Sequence, residues 1–225
     1  GLEWIRLLYL YPTTITDDVL DAIADSRKVC RYIDLPLQHA APAVLKRRKR
    51  PVNGTTYRRL LDRIRTRVPG VALRTTLIVG FPGETAAEFE TLQSFVQDGR
   101  FDHLGVFTYS HEEGTSAFSL PDDVPARVKR QRRTALMSTQ RRLVQRAQRK
   151  RLGERVRVLV DGPSPEHGLV LRGRLASQAP EIDSCVYLTG ADPATHLPGH
   201  LVDGTIVGSR EYDLVVEPLP AADGG

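Results

Sequence analysis

The residues best placed to do chemistry lie in short loops that follow predicted strands. In parallel βα architectures, binding groups collect at the carboxyl ends of the strands. Here that rule selects Gln38 and His39 after one strand and the loop Gly80–Glu84 after another. The glycines of this loop permit close backbone approach to a flat ligand, and Pro82 stiffens the turn. Two interpretations stay open: a loop whose amides meet a nucleoside or a carboxylate, or a strand–turn–helix corner without a ligand.

Arg74 is a second signal, because it interrupts an otherwise apolar strand pattern over residues 71–80. A cation in that position must pair with an acid or face the lumen of a barrel. Either a ligand carboxylate or a structural salt bridge satisfies the requirement. His39 is isolated in sequence and has the same two interpretations, structural or ligand-facing. The sequence has no recognisable Ser-His-Asp set or carboxylate pair, so hydrolysis by those routes is unsupported.

The elements that must position these residues alternate between strand and helix in the first half of the chain. This order predicts a parallel sheet or partial barrel of the α/β class. We expect the second strand to end at Pro36, and a capping box of Thr85 and Glu88 to begin the helix after the third. Four strands are predicted, within residues 4–9, 31–37, 71–80 and 101–109. A closed (βα)8 barrel needs more strands, so the barrel is expected to be incomplete.

The second half of the chain has a different pattern. A long helix over residues 125–151 carries no acidic residue, and short strands separated by turns follow it. Five strands in so few residues predict a small all-β barrel of the OB-like type. They are expected at residues 155–160, 169–175, 184–189, 200–207 and 212–216. The predicted organisation is therefore a barrel domain at 1–151, a β-barrel domain at 152–217 and a disordered tail at 218–225.

The charge is divided unequally between these parts. Residues 1–151 carry 27 Lys and Arg against 16 Asp and Glu, a net +11, whereas residues 152–217 carry 5 against 10, a net −5. Nucleic-acid-binding OB-like modules are normally basic, so this acidic one predicts a basic protein partner, unless its acids serve only solubility. The basic helix 125–151 either contacts RNA phosphates or is simply a solvated face. The acids predicted to dock the partner are Glu181, Asp183, Glu211 and Asp213.

The two cysteines, Cys30 and Cys185, lie far apart and show no metal-ligand spacing. The chain as it stands therefore cannot supply four cysteines to an iron–sulfur cluster. Free thiols favour a reduced, cytoplasmic protein. No apolar run is long enough to span a bilayer, and no leader pattern is present, so no membrane partner is predicted. The first residues already read as a strand, and we expect the chain to begin inside a domain.

Several segments together resemble one known family, the radical S-adenosylmethionine (SAM) methylthiotransferases. These segments are Trp4–Tyr9 with Tyr11-Pro12, Leu35–Ala40 and Leu73–Thr85, while Ala179–Asp183 with Val186–Leu188 resembles the family's terminal TRAM domain. The residues Leu37–Ala40 and Pro180–Asp183 are similar to the ribosomal-protein branch. The tRNA-modifying branch tends to show Gln-Ser-Gly-Ser at positions 38–41.

The resemblance implies a partly open barrel that binds SAM and a [4Fe-4S] cluster, with a second cluster involved in sulfur delivery. Reductive cleavage of SAM would yield a 5′-deoxyadenosyl radical that abstracts hydrogen from an unactivated carbon. In the ribosomal-protein branch, a methylthio group is installed on the β-carbon of an aspartate in small-subunit ribosomal protein S-twelve. The family's C-x3-C-x2-C motif would lie upstream of Gly1, so we expect the isolated chain to be inactive.

The resemblance also implies roles for individual residues of this chain. The cofactor-binding residues would be Gln38, His39, Arg74, Gly80, Phe81 and Glu84. The terminal barrel would dock the substrate through its acids, and no residue is assigned as catalytic or as a metal ligand. Two alternatives remain: a tRNA methylthiotransferase that modifies adenosine, and a non-catalytic ribosome-binding module.

Overall fold

A computed structural model describes residues 2–50, 54–166, 168 and 170–220 of the chain. The chain folds as two compact units, Gly1–Leu143 and Val144–Gly225. The first unit holds β1 (Ile5–Leu7), α1 (Asp17–Asp25), β2 (Val29–Gln38), α2 (Pro42–Arg47), α3 (Gly54–Arg67), β3 (Ala72–Val79), α4 (Ala86–Gly99) and β4 (His103–Thr108). Helix α5 (Ala126–Arg149) leads into the second unit, which holds β5 (Arg155–Pro163), β6 (Leu171–Arg174), β7 (Val186–Leu188), β8 (Leu201–Arg210) and β9 (Asp213–Pro218).

The four strands of the first unit form one parallel sheet in the order β1-β2-β3-β4. The predicted α/β class and incomplete barrel are confirmed. The expectation that the second strand ends at Pro36 is wrong, because β2 continues to Gln38. Proline has no N–H to donate to the ladder, and the register with β3 shifts between Leu35 and Gln38 to accommodate it.

The two faces of this sheet differ in burial. Along β3, Leu73, Thr75, Leu77 and Val79 are buried, while Arg74, Thr76 and Ile78 between them are only partly covered. The buried face packs against apolar residues of the helices and forms the main core of the unit. The opposite face, which we call the inner face, carries Asp34, Arg74, Thr76, Ile78, His103, Gly105 and Phe107, because residues in parallel register point to the same side.

The second unit is a closed barrel with strand order β5-β6-β7-β9-β8. Its core is a separate cluster that includes Val158, Val160, Ile206 and Val216. The prediction of a small all-β OB-like barrel is confirmed, and all five predicted strands are present. Residue 169, part of one predicted strand, lies outside the described residues. So do residues 221–225 of the predicted tail, while residue 218 still belongs to β9. Among the helices that the structure describes, none combines the length and apolar character needed to cross a membrane.

Candidate functional site at the carboxyl ends of the sheet

The loop Gly80–Glu84 is organised around its own glutamate. The Oε2 atom of Glu84 accepts hydrogen bonds from the backbone amides of Gly80 at 2.8 Å and Phe81 at 3.3 Å. Gly80 has a φ of +75°, a conformation that glycine adopts without strain and that directs these amides inward. The two amides are therefore engaged within the loop instead of being presented to a ligand.

Glu84 also joins two distant parts of the first unit. The Nη1 atom of Arg132, on α5, donates to Glu84 Oε1 at 2.8 Å and to the Glu84 carbonyl at 2.9 Å. His39 Nε2 lies 3.5 Å from Glu84 Oε2, and both side chains are fully buried. Since His39 Nδ1 accepts from the Ala41 amide at 3.0 Å, Nε2 is the ring nitrogen that faces the Glu84 carboxylate. The structure thus brings His39, Gly80, Phe81 and Glu84 together in one buried network.

The mouth of the sheet, where β2, β3 and β4 end, is formed by Gln38, Phe81 and Tyr109. The Phe81 and Tyr109 rings meet edge to face with centroids 5.2 Å apart. The guanidinium of Arg48 lies over the Phe81 ring at 4.7 Å and donates to Gln38 Oε1 from Nε and Nη2. Gln38 has a φ of 68°, which is unfavourable for a residue with a side chain and is held here by these contacts. Two residues that the sequence predicted for the site, Gln38 and Phe81, therefore both contact the guanidinium of Arg48.

Arg74 lies on the inner face and is paired. Its Nη1 donates to Asp34 Oδ1 at 3.2 Å and to Thr76 Oγ1 at 3.3 Å. Asp34 is fully buried, and its second oxygen accepts from the Tyr9 amide at 3.3 Å. Phe107 presents an exposed aromatic ring on the same face, 59% accessible. The structural salt bridge, one of the two interpretations of Arg74, is present, and the cation also faces the inner side.

Three of the four predicted docking acids line one pocket of 290 Å³ on the second unit, together with Arg172 and Arg174. Asp183 and Asp213 use one oxygen each to accept from the backbone amides of Ala179 and Cys185, both at 2.8 Å. These two carboxylates therefore hold the fold as well as line the pocket.

Among the described residues, no backbone amide donates to the side chains of the remaining two predicted docking acids, Glu181 and Glu211. Glu181 is exposed and lines the same pocket, whereas Glu211 is exposed in the β8–β9 turn and is not part of the lining. Burial first, and then the charge of Asp213, raises the pKa of the pocket residue Cys185 to about 11.

The basic helix α5 uses some of its cations within the first unit. Lys129 pairs with Asp122 at 2.5 Å, Arg132 binds Glu84, and Arg133 Nε donates to the Val106 carbonyl at 2.9 Å. Beyond Arg133, the exposed cations of the helix are Arg141, Arg142, Arg146 and Arg149, and the exposed Lys150 follows directly after it. A contact with RNA phosphates, as predicted for residues 125–151, would depend on that second group.

Sequence reasoning missed three residues of the site: Asp34, Arg48 and Arg132 as a loop anchor. Asp34 carried the same signal as Arg74, a single charge inside an apolar strand. Arg48 lies in the run Lys46–Arg50, five consecutive cations that could have marked it. No local signal connects Arg132 with Glu84, which lies 48 residues earlier in the chain.

Two family models match the chain: the Radical SAM superfamily over residues 2–96 and the TRAM domain over residues 152–219. A solved structure, the coproporphyrinogen III oxidase of Escherichia coli, described as a radical SAM enzyme, superposes with a TM-score of 0.50 at 17% identity. That alignment covers 77% of this chain and 44% of the other, and it supports the fold alone.

Curated relatives match over almost the whole chain. The ribosomal protein uS12 methylthiotransferase RimO of Geotalea uraniireducens is 47% identical over 98% of this chain and 48% of its own length. The protein of the same name from Sorangium cellulosum is 45% identical over 100% of this chain and 46% of its own length. The chain therefore spans about half the length of the curated relatives it matches.

Proposed function

Because the chain belongs to the radical SAM methylthiotransferase family, we propose that it is part of an enzyme that adds a methylthio group to the β-carbon of an aspartate in ribosomal protein uS12. The observation that carries this proposal is the 47% identity to a RimO protein, which extends through both units instead of the radical SAM segment alone. An enzyme of this activity acts in the cytoplasm, where ribosomal proteins reside.

The described residues do not fit an iron–sulfur cluster. They include no group of three or more His, Cys, Asp or Glu side chains arranged to hold a metal ion. Cys30 is buried and Cys185 belongs to the other unit. The ligands for the two proposed [4Fe-4S] clusters must come from elsewhere in the intact polypeptide.

The residues at the mouth fit SAM better. Its amino-acid part requires a cation, which Arg48 offers beside Gln38, and its adenosine requires an exposed aromatic or apolar surface, which Phe107 offers on the inner face. When bound, SAM supplies the hydrogen-abstracting chemistry from which methylthio transfer starts. Arg74 and Asp34 would set the polarity of the inner face, while His39, Gly80 and Glu84 would hold the shape of the loop beside it.

The acidic second unit supports a basic protein as the docking partner. The net charge of −5 over its residues 152–217 repels phosphate and attracts a positively charged polypeptide such as a ribosomal protein. The exposed acids Glu181 and Glu211 are the proposed docking points, with Asp183 and Asp213 behind them. The exposed cations at the end of α5 are proposed to contact ribosomal RNA near that protein.

The test uses the intact polypeptide that contains this chain and the residues upstream of it, purified without air. It is incubated with SAM, a reductant and either purified uS12 or tRNA, and the products are analysed by mass spectrometry. We expect a methylthio group on an aspartate of uS12. Modification of tRNA adenosine instead would show that the protein belongs to the tRNA-modifying branch and not to the ribosomal-protein branch. The absence of iron and of any product would contradict the proposal that the protein is an enzyme.

The docking role is tested separately with Glu181→Lys and Glu211→Lys, which reverse charges that no backbone bond depends on. We expect both variants to weaken capture of uS12 in a pull-down. The matched control is Glu90→Lys, the same charge change on the exposed side of α4 in the first unit. Equal capture by all three variants would contradict the assignment of the second unit as the docking module.

A further inference from the structure

The run Lys46–Arg50, at the end of α2, places five consecutive cations beside the mouth of the sheet. Lys46 and Lys49 are exposed to solvent. Arg47 is neutralised, since it pairs with Glu88 at 2.9 Å and donates to the Gly83 carbonyl at 3.2 Å. Arg48 and Arg50 are half-buried and turn towards the ends of the strands.

Arg48 and Arg50 are each held against an aromatic ring. The Arg48 guanidinium lies 4.7 Å from the centroid of Phe81, which follows β3, and donates to Gln38 Oε1 at 2.8 Å from Nη2. The Arg50 guanidinium lies 5.2 Å from the centroid of Tyr11, in the loop after β1. The carboxyl ends of three neighbouring strands therefore share two fixed cations.

These two cations lack a carboxylate partner within the part of the chain that the structure describes. Arg132 and Lys129, two other cations beside the same sheet end, each pair with an acid, as does Arg74 nearer the start of β3. Burial first, and then the nearby charge of Arg50, lowers the pKa of Arg48, and the charges of Tyr109 and of Glu84, which already pairs with Arg132, oppose this only in part. A half-buried cation without a counter-ion is unfavourable, and an incoming anion removes that cost.

We propose that Arg48, assisted by Arg50, is the receptor for a carboxylate at the mouth of the sheet. Its Nε and Nη2 are directed at Gln38, which fixes the guanidinium plane and leaves the N–H groups of Nη1 for a ligand. Two sources share this chemistry: the amino-acid part of a SAM-like nucleoside and an acidic side chain of a polypeptide substrate. The choice of these two sources rests on the proposed function, whereas the receptor itself rests on the geometry.

The test measures binding of two matched pairs of probes to the intact polypeptide by isothermal titration calorimetry. S-adenosylhomocysteine and methylthioadenosine share a thioether nucleoside, but only the first has an amino-acid part with a carboxylate. A uS12 peptide with aspartate and the same peptide with asparagine differ only in that one carboxylate is replaced by a neutral amide. We expect the wild type to prefer the carboxylate member of at least one pair, and Arg48→Gln to lose about tenfold or more of that preference, as for a charge-assisted hydrogen bond.

Two further variants separate charge from geometry and from folding. Arg48→Lys keeps the charge but loses the planar fork, so it should recover only part of the preference. Arg58→Gln is the matched control, because Arg58 also lies over a ring, Phe95 at 5.3 Å, but pairs with Asp98 at 3.1 Å away from the mouth. It should leave the preference unchanged. Circular dichroism checks that each variant is folded. If Arg48→Gln does not fold, the carboxylate preference of Arg48→Lys decides the test instead.

The receptor is overturned if the wild type binds both members of both pairs equally, or if the Arg48 variants keep the full preference. Methylthiolation of uS12 by the wild type alongside such a result would leave the proposed function standing without the receptor. Conversely, a carboxylate preference that depends on Arg48, in a polypeptide that modifies neither uS12 nor tRNA, would leave the receptor standing alone.

Discussion

Removal of Arg132 is the sharpest test of the buried network behind the Gly80–Glu84 loop. Arg132→Met keeps much of the side-chain volume but removes both hydrogen bonds to Glu84 and the cation over the Phe89 ring at 5.5 Å. The Glu84 carboxylate then remains fully buried beside the amides of Gly80 and Phe81 and the Nε2 atom of His39 at 3.5 Å, but without its paired arginine.

The expected loss is set by the burial of the carboxylate. Breaking a buried ion pair by removing one partner costs about 3–5 kcal/mol, because the other charge is left uncompensated. The matched control is Arg58→Met, which removes an exposed pair with Asp98 and should cost about 1 kcal/mol or less. Adding Glu84→Gln to Arg132→Met replaces the stranded charge with a neutral amide and should restore about 1–3 kcal/mol.

The measurement is urea unfolding followed by the fluorescence of Trp4, the only tryptophan, which lies next to β1 in the first unit. We expect Arg132→Met to lower the midpoint with little change in slope, since the surface exposed on unfolding is similar. The reasoning is refuted if Arg132→Met loses no more stability than Arg58→Met, or if Glu84→Gln fails to recover any of the loss.

The other predictions concern a glycine and a cysteine. Gly80→Ala should lower the free energy of unfolding by about 2–4 kcal/mol in a thermal unfolding experiment, because the φ of Gly80 is +75° and the added methyl would overlap the Lys129 side chain. The matched control is Gly114→Ala, at φ +78° in open space, which should lower it by only about 1 kcal/mol. With a pKa of about 11, Cys185 is a thiolate in only about one molecule per thousand at pH 8, so it should react slowly with iodoacetamide. The rate of alkylation should rise about tenfold for each unit by which the pH is raised, up to pH 11, and a pH-independent rate would contradict this. Asp213→Asn removes a charge that raises this pKa, so alkylation at pH 8 should accelerate, and an unchanged rate would mean that burial alone is responsible.

Local patterns were sufficient for most of the elements. The capping box of Thr85 and Glu88 is present as predicted, with Glu88 N donating to Thr85 Oγ1 at 3.2 Å and Thr85 N to Glu88 Oε2 at 2.8 Å. Such signals work because capping bonds and apolar periodicity depend on residues three or four positions apart. Pro36 misled the prediction because a shift in strand register, which no local pattern reports, allowed β2 to continue.

The sequence by itself determined the order of strands and helices, the acidic character of the second unit and the loops that carry the candidate site. Only the tertiary structure decided where the charged side chains of that site point. Glu84 turns inward to Arg132, Arg74 pairs with Asp34 across two strands, and Arg48 pairs with no carboxylate among the residues that the structure describes. The physical reason is that a buried charge is stable only beside a counter-charge. Strand register and helix packing decide which counter-charge is near, and they join residues that are 40 or more positions apart in the chain.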